Sequence, residues 1–385
     1  MKIIAFYLPQ FHSIPENDRW WGKGFTEWTN MKAAKPLFKG HRQPRVPLNN
    51  KYYNLLDNDT LKWQIELAKK NGIFGFCFYH YWFDGHMLLQ KPMENMLHDP
   101  SINFPYCICW ANEGWTNAWK SDGNTKVLIA QRYGDKKEWE EHFKYLLSFF
   151  SDPNYITIDG KPLLVIYRPE ICSCLNDMLD YWDELAIRNG FKGMCFAYQQ
   201  VSYYLKENRD ESRFTYRIEY QPGYARFDSQ NVKGGMSSIW IKMKSKVRYV
   251  AGIIDYNIGT NIQAKLTKTG LSFENYDALC EAIINRHGED EKSIAGMFVD
   301  WDNTPRRGKN GRVCLGSTPE KFKYYLKKQI KNIKTTYSSD YLFIFAWNEW
   351  AEGGYLEPDE DNKYSYLHAV KEALEECGER EEREE

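Results

Sequence analysis

The chain has 385 residues, 43% of them apolar and 16% aromatic, enough for one large core of barrel size. Its 51 Lys plus Arg stand against 52 Asp plus Glu, so there is no basic excess for a phosphate backbone and a nucleic-acid partner is not expected. No run approaches the roughly 20 consecutive apolar residues that a membrane span needs. The N-terminus, Met1-Lys-Ile-Ile-Ala-Phe-Tyr-Leu-Pro9, turns polar too soon for a secretory leader, which points to the cytoplasm.

Ile3–Leu8 predicts a first strand, ended by Pro9. A long loop follows with Gln10, His12 and the segment Trp20–Asn30, in which Trp20, Trp21, Phe25 and Trp28 surround Glu27. A loop of this length without its own helix is commonly functional; the alternative is an aromatic cluster closing the bottom of a barrel. Asn58-Asp-Thr60 caps a helix running to Asn71, with Leu61, Ile65 and Ala68 on one face and Gly72 at its end. Phe74–Phe83 is a buried strand closing on His80, Tyr81 and Trp82, and a helix through Met93 and Met96 comes next. Tyr106–Glu113 repeats the arrangement, apolar first, then Trp110, Asn112 and Glu113.

A helix is expected over Asp135–Phe150, a strand over Pro162–Arg168, a helix over Asn176–Asn189 ended by Gly190, and a strand over Met194–Tyr198. Between Phe214 and Tyr256 the pattern weakens: Glu219-Tyr-Gln-Pro222 ends a sixth strand, and the basic run Lys242–Arg248 reads as a solvated helix face. Tyr276–Arg286 is helical, Ile294–Val299 a strand ending in Asp300-Trp-Asp-Asn303, and Pro319–Ile333 a helix with proline near its start. Tyr341–Ala346 is the last strand, and a final helix runs through Leu374. The charge run from Glu375 reads as a tail, giving a domain over 1–375 and a tail over 376–385. Strand, loop and helix recur about eight times, with polar and aromatic residues gathered after the strands. That is the layout of an α/β, single-domain (β/α)8 TIM barrel with its active site on the C-terminal face.

The last strand carries the densest chemistry. Trp347-Asn-Glu-Trp-Ala-Glu-Gly353 turns from apolar to polar within one step, and Trp347 and Trp350 flank Asn348, Glu349 and Glu352. Apolar neighbours raise the cost of ionising either acid, which separates two carboxyl pKa values into an acid and a base. If the backbone turns helically there, Glu349 and Glu352 point the same way; glycoside hydrolysis needs two carboxyl groups, one to protonate the departing oxygen and one to support the anomeric carbon or activate a nucleophile, and the alternative is a capped strand end with two solvated glutamates. Glu113 beside Asn112 is a further acid or a clamp on sugar hydroxyls, or a cap. His80 holds a hydroxyl or is an ordinary buried hydrogen bonder. Asp300-Trp301-Asp302 matches the short Asp-x-Asp pattern of metal–diphosphate sites, although a sugar clamp or a strand-end cap fits it as well. No glycine-rich phosphate loop occurs. The nine cysteines include no CxxC pair, so a zinc ribbon is not expected and reduced thiols are. Fourteen Trp and 27 Tyr exceed what packing requires, and stacking on sugar faces is one use for the surplus.

Five motifs carry a family resemblance: Tyr7-Leu-Pro-Gln-Phe-His12, Gly24-Phe-Thr-Glu-Trp28, Phe78-Tyr-His-Tyr-Trp82, Trp110-Ala-Asn-Glu113 and Trp347-Asn-Glu-Trp-Ala-Glu-Gly353. In this order they resemble the WbsX-type proteins, which occur in bacterial polysaccharide and O-antigen gene clusters and are labelled glycosyltransferases. That family is in turn similar to the endo-α-mannosidases of glycoside hydrolase family 99, which are (β/α)8 barrels. The resemblance implies Glu349 and Glu352 as the catalytic pair. It makes Glu349 the base that draws the proton from a sugar 2-hydroxyl, and Glu352 the acid that protonates the leaving oxygen and later activates water. Tyr7, His12, Glu27, Trp28, His80, Tyr81, Trp82, Trp110, Asn112, Glu113, Asp300, Trp301, Asn348 and Trp350 form the expected glycan-binding set, with no metal or other cofactor. One stretch departs from the family: WbsX proteins tend to carry more basic residues after Trp115, where Thr116-Asn-Ala-Trp119 stands here. The expected activity is that of a retaining glycoside hydrolase; the alternatives are a glycosyltransferase of surface-polysaccharide assembly and a non-catalytic glycan-binding barrel.

Overall fold

The computed structural model describes residues 1–117, 126–201, 210–226 and 270–380; the basic run Lys242–Arg248 lies outside them. Eight strands form the centre: β1 (Lys2–Tyr7), β2 (Gly75–Phe83), β3 (Tyr106–Trp110), β4 (Lys161–Ile166), β5 (Cys195–Gln200), β6 (Tyr216–Glu219), β7 (Ser293–Phe298) and β8 (Tyr341–Phe345). Each pairs in parallel with the next. β8 pairs back onto β1 with Lys2 opposite Tyr341, so the sheet closes into a barrel.

Two short helices, α1 (Pro15–Trp21) and α2 (Glu27–Ala33), lie in the β1 loop. The stretch read as helix-free therefore has local helical structure. Pro15 at the start of α1 and Glu16 and Asp18 in its first turn suit a helix N-terminus. The side chain of Thr29 bonds back to the Thr26 amide at the start of α2. The outer layer is α3 (Asn58–Lys70), α4 (Lys91–His98), α5 (Lys136–Phe150) and α6 (Leu175–Arg188), then α7 (Tyr276–Ile284) before β7. After β7 comes the single-turn α8 (Thr304–Arg307), then α9 (Pro319–Thr336), and after β8 comes α10 (Ser365–Glu376). Asp57, Asp135 and Thr318 cap α3, α5 and α9 with side-chain oxygens. The described residues between β5 and β6 carry no helix. Beyond α10, Glu379 accepts from the Met1 amine and pairs with Lys334, so part of the charge run is tied to the barrel.

Both faces of the strands are covered, as in all-parallel sheets. All nine residues of β2 are buried. Inside, Phe6 packs on Tyr79, Tyr220 and Phe343 at ring separations of 5.7, 5.5 and 5.4 Å. Outside, Trp110 meets Trp182 of α6 at 5.9 Å and His142 of α5 at 5.0 Å. Gly296 is required where β6 and β7 approach, since a Cβ there would overlap the Glu219 carbonyl oxygen.

Candidate active site

The end of β8 is held by bonds that have no slack. The Asn348 side-chain amide accepts from Leu8 N at 2.7 Å and donates to Leu8 O at 3.0 Å, extending the β1–β8 ladder by one side chain. Asn348–Glu349 then pairs antiparallel with Gly354–Tyr355 around one 3₁₀ turn, Trp350–Glu352. Gly353 closes the turn at φ 71°, where a Cβ would stand 2.7 Å from the Asp302 amide, and that amide donates to Glu352 O at 2.7 Å. The loops after β7 and β8 are thereby fused. Below them, the indoles of Trp347 and Trp350 both donate to Glu357, at 3.1 and 2.6 Å. Glu357 also accepts from Tyr53 at 2.8 Å and Gln64 at 2.7 Å. Burial raises its pKa to about 7, against the pull of these four donors.

Glu349 and Glu352 meet on one side chain. Arg306 of α8 donates from Nη2 to Glu349 Oε2 at 3.3 Å, from Nη1 to Glu352 Oε1 at 2.8 Å and from Nε to Glu27 Oε2 at 3.2 Å. The two carboxyls therefore lie within the span of a single guanidinium, in unequal surroundings. The Glu349 side chain is 7% exposed, whereas that of Glu352 is 21% exposed. Burial pushes the Glu349 pKa up to about 8; Arg306 opposes this, and the neighbouring Glu352 and Glu27 reinforce it. Four inward-facing phenols surround the pair: Tyr79 and Tyr81 of β2, Tyr167 after β4 and Tyr220 after β6, each in electrostatic contact with Glu349 or Glu352. Burial raises all four phenol pKa values, so they are neutral donors at ordinary pH.

Of the expected residues, the structure brings Glu27, Tyr81, Glu349 and Glu352 together. Glu113 stands at the rim, half-exposed, on Arg168 at 3.1 Å, and the Tyr167 phenol feels both Glu113 and Glu352. Tyr7, His80, Trp82 and Trp110 do not reach the mouth, because the strand period sends them outward into the helical layer. Tyr7 donates to Gln64 at 2.6 Å, His80 meets His142 at 3.0 Å, Trp82 donates to Glu138 and Trp110 donates to the Trp82 carbonyl. Asn112 is a peptide mimic, bonded both ways to the Arg168 backbone at 2.8 and 2.7 Å. Trp28 donates to Tyr53 O and packs on Trp350 at 5.5 Å, while Trp350 stacks on Tyr355 at 3.8 Å. This aromatic cluster lies under the mouth and not at the barrel bottom, because it is built on the loop leaving the C-terminal end of β1.

Asp300 accepts from Arg45 at 2.8 Å. Asp302 is engaged by His41 at 2.9 Å, Gln43 at 2.8 Å and Thr304 at 2.6 Å, so both acids of the Asp-x-Asp stretch tie loops together. Trp301 lies under Arg226 at 4.3 Å. His12 is 2% exposed, and burial takes its pKa down to about 4, opposed by an interaction with the Pro9 backbone. Among the described residues no cluster of three or more His, Cys, Asp or Glu could hold a metal. Arg306, Tyr79, Tyr167, Tyr220 and Glu357 escaped the sequence reading as site residues. Tyr79, Tyr167 and Tyr220 each stand at the end of an expected strand, and that position was the one signal they carried.

The fold and the site together define a closed (β/α)8 barrel with paired glutamates at its C-terminal mouth. The family model for glycosyltransferase WbsX matches residues 3–370, and the chain belongs to that family. It is 33% identical over 376 residues to the uncharacterized protein WxcX of Xanthomonas campestris pv. campestris strain B100, covering 97% of this chain and 49% of the relative. A second WxcX, from strain ATCC 33913, matches at 33% over 374 residues, so the chain spans about half the length of the curated relatives it matches. Among solved structures, the GH99 endo-alpha-mannosidase from Bacteroides thetaiotaomicron covers 98% of this chain and 97% of its own at 14% identity, with a TM-score of 0.53. In its complex with bis-tris-propane the TM-score is 0.56. This likeness establishes the shared barrel fold. No helix among the described residues is long and apolar enough to cross a membrane.

Proposed function

We propose that the chain is a retaining glycoside hydrolase that cleaves a glycan linkage with Glu349 and Glu352. The observation that carries this reading is that both carboxyls hang from one buried guanidinium at the barrel mouth, with Glu349 the more deeply buried of the two. Close carboxyls titrate as a pair. Burial raises Glu349 to about 8, so this carboxyl holds a proton at neutral pH in the resting protein.

The base role implied for Glu349 then requires that its proton pass first to Glu352 as substrate arrives. The proton moves within the pair, so the net charge beside Arg306 is unchanged. Glu349 next takes the proton of the sugar 2-hydroxyl, and that oxygen bonds to the anomeric carbon as the leaving oxygen departs with the proton of Glu352. Water enters and gives a proton to Glu352 as it attacks the anomeric carbon. The opened 2-oxygen recovers its proton from Glu349, and two inversions yield net retention. The tyrosine ring supplies neutral donors to sugar oxygens on all sides of this event.

A glycosyltransferase is the second reading, favoured by the name of the family. It would use a sugar hydroxyl where the hydrolase uses water. The engagement of Asp300 and Asp302 by Arg45, His41, Gln43 and Thr304 speaks against a metal–diphosphate at that stretch.

The test uses Glu349→Gln and Glu352→Gln on a verified glycan. Both should fold and lose most activity, with losses that do not add. Glu352→Gln should retain more activity on an activated aryl leaving group, which needs little protonation. Wild-type rates in both variants would refute the assignment. Manganese-dependent binding of a sugar nucleotide, lost in Asp302→Asn, would establish the transferase instead.

A further inference from the structure

We propose that Cys172 and Cys174 form a redox-active dithiol at the rim of the barrel mouth, which exchanges with a low-molecular-weight disulfide and closes to a reversible Cys172–Cys174 bridge. All nine cysteines are free thiols, and Cys174 and Cys377 are the two that are half-buried rather than buried. Cys377 faces the Lys327 carbonyl on the outer helices. Cys174 faces a second sulfur, the Sγ of Cys172 at 3.8 Å. The chain bends into α6 here, from an extended Cys172 (φ −95°, ψ 108°) to Cys174 (φ −101°, ψ 19°). Glu170, Ile171 and Ser173 around the pair are exposed, so a small disulfide can reach it.

The exchange runs in two steps. Cys174, the more exposed thiol, gives its proton to water, and its sulfur attacks one sulfur of the small disulfide. That S–S bond breaks and one small thiolate leaves. Cys172 then passes its proton to a departing thiolate, its sulfur attacks the Cys174 sulfur, and the second small thiol is released. The chain loses two hydrogens, and one small disulfide becomes two thiols. Burial raises the Cys172 thiol, which suits it to the second step and not the first. A bridge over the single residue Ser173 cannot relax as a long-range disulfide does, so it is easily reduced and serves as a reversible mark rather than a staple.

The pair is tied to the mouth. It sits on the loop leaving the C-terminal end of β4, which carries Tyr167 and Arg168. Arg168 holds Glu113 at 3.1 Å and also pairs with Glu170. The Tyr133 phenol feels both sulfurs and Arg168, and donates to Asn112 O at 2.9 Å. To bond, the sulfurs must close from 3.8 Å to about 2 Å. Cys174 is held by α6, where Leu175, Met178, Leu179 and Trp182 are buried. The movement therefore falls on Cys172 and the 3₁₀ turn Pro169–Ile171 before it, to which the Cys172 amide bonds at Pro169 O. That turn starts at Arg168, so the bridge loosens the Arg168–Glu113 clamp. The consequence for catalysis rests on the glycan-cleaving reading above; the thiol chemistry does not.

The experiment treats the reduced full chain carrying Cys377→Ser with excess oxidised glutathione under native conditions. The intact mass should fall by two hydrogens, peptide mapping should join Cys172 to Cys174, and dithiothreitol should restore both thiols. Cys172→Ser should stop at a glutathione adduct on Cys174, and Cys174→Ser should take no adduct. Hydrogen exchange across residues 167–174 should quicken in the oxidised chain. On a glycan that the chain cleaves, oxidation should raise KM roughly threefold to fivefold, the worth of one half-exposed ion pair, and reduction should reverse it. No mass loss, a bridge between other cysteines, or a lasting adduct on the parent would overturn the site. Unchanged exchange at 167–174 or an unmoved KM would overturn its coupling to the rim. Mass, mapping and exchange need no glycan, so they stand or fall apart from the Glu→Gln activity test.

Discussion

Replacing Glu349 by glutamine should make the protein more stable at alkaline pH even as it removes activity. In the folded chain Glu349 is raised from 4.5 to about 8, chiefly by burial. Below pH 4.5 both folded and unfolded chains hold this proton, and the group adds no pH dependence. Between 4.5 and about 8 the folded chain binds more protons than the unfolded one, so stability falls as pH rises, by about 1.4 kcal/mol per pH unit. Above about 8 both states are ionised and the loss levels off, having reached roughly 5 kcal/mol. A loss of that size is a large part of a usual folding free energy. Glutamine keeps an acceptor for Arg306 Nη2 and cannot ionise, so the variant escapes this loss. The assay is urea unfolding of both proteins at intervals from pH 5 to 9. Glu357, raised to about 7, titrates in both and drops out of their difference. The difference should climb through neutrality in favour of Glu349→Gln and flatten above pH 8. Parallel curves would show that Glu349 is ionised in the folded protein, and would refute the placement of the pair's proton.

Two further perturbations test the frame of the site. Arg306→Gln removes a cation that touches Glu27, Glu349 and Glu352 together, so the shared proton should be held more tightly and the alkaline limb of the pH–rate profile should move up, with kcat falling at least about tenfold. An unmoved alkaline limb would show that the arginine does not set the pair's titration. Gly296→Ala places a methyl group on the Glu219 carbonyl oxygen, a backbone atom that cannot yield, so stability should drop by about 1–3 kcal/mol or more in urea with the active-site pH profile unchanged. A wild-type urea midpoint would show that β6 and β7 have room to separate.

Much of the barrel was legible in the chain because parallel strands buried on both faces appear as short, dense apolar runs between capped helices. Tyr341–Phe345 was read to within one residue, and so was Gly75–Phe83. The same double burial erased the other half of the message. With all of β2 buried, hydrophobicity does not alternate, so Phe78-Tyr-His-Tyr-Trp82 shows which end of the strand matters but not which side chains face the interior. His80 and Trp82 looked as suited to sugar contact as Tyr79 and Tyr81, and only the closed sheet separates the two pairs. The β1 loop hid α1 and α2 for a different reason. They are seven residues each, too short for a helical period to stand out among four aromatic rings.

The clustered acids advertise the site, whereas the residue that organises them does not. Glu349 and Glu352 share one turn with two tryptophans, a local signal that sequence spacing can carry. Arg306 sits in Thr304-Pro-Arg-Arg-Gly-Lys-Asn-Gly-Arg312, where it is one of several basic residues and reads as solvated. Its meaning comes from three separations in the chain: 279 residues to Glu27, 43 to Glu349 and 46 to Glu352. Those meet only because the β1, β7 and β8 loops open onto one face of a closed barrel. The Asp302–Glu352 backbone bond and the Gly353 turn then hold α8 at the height of the acid pair. A carboxyl pair made by one loop alone would repel itself open. Here the arginine that prevents this arrives on a different loop, so the spacing of the two acids is set by the barrel rather than by the turn that carries them.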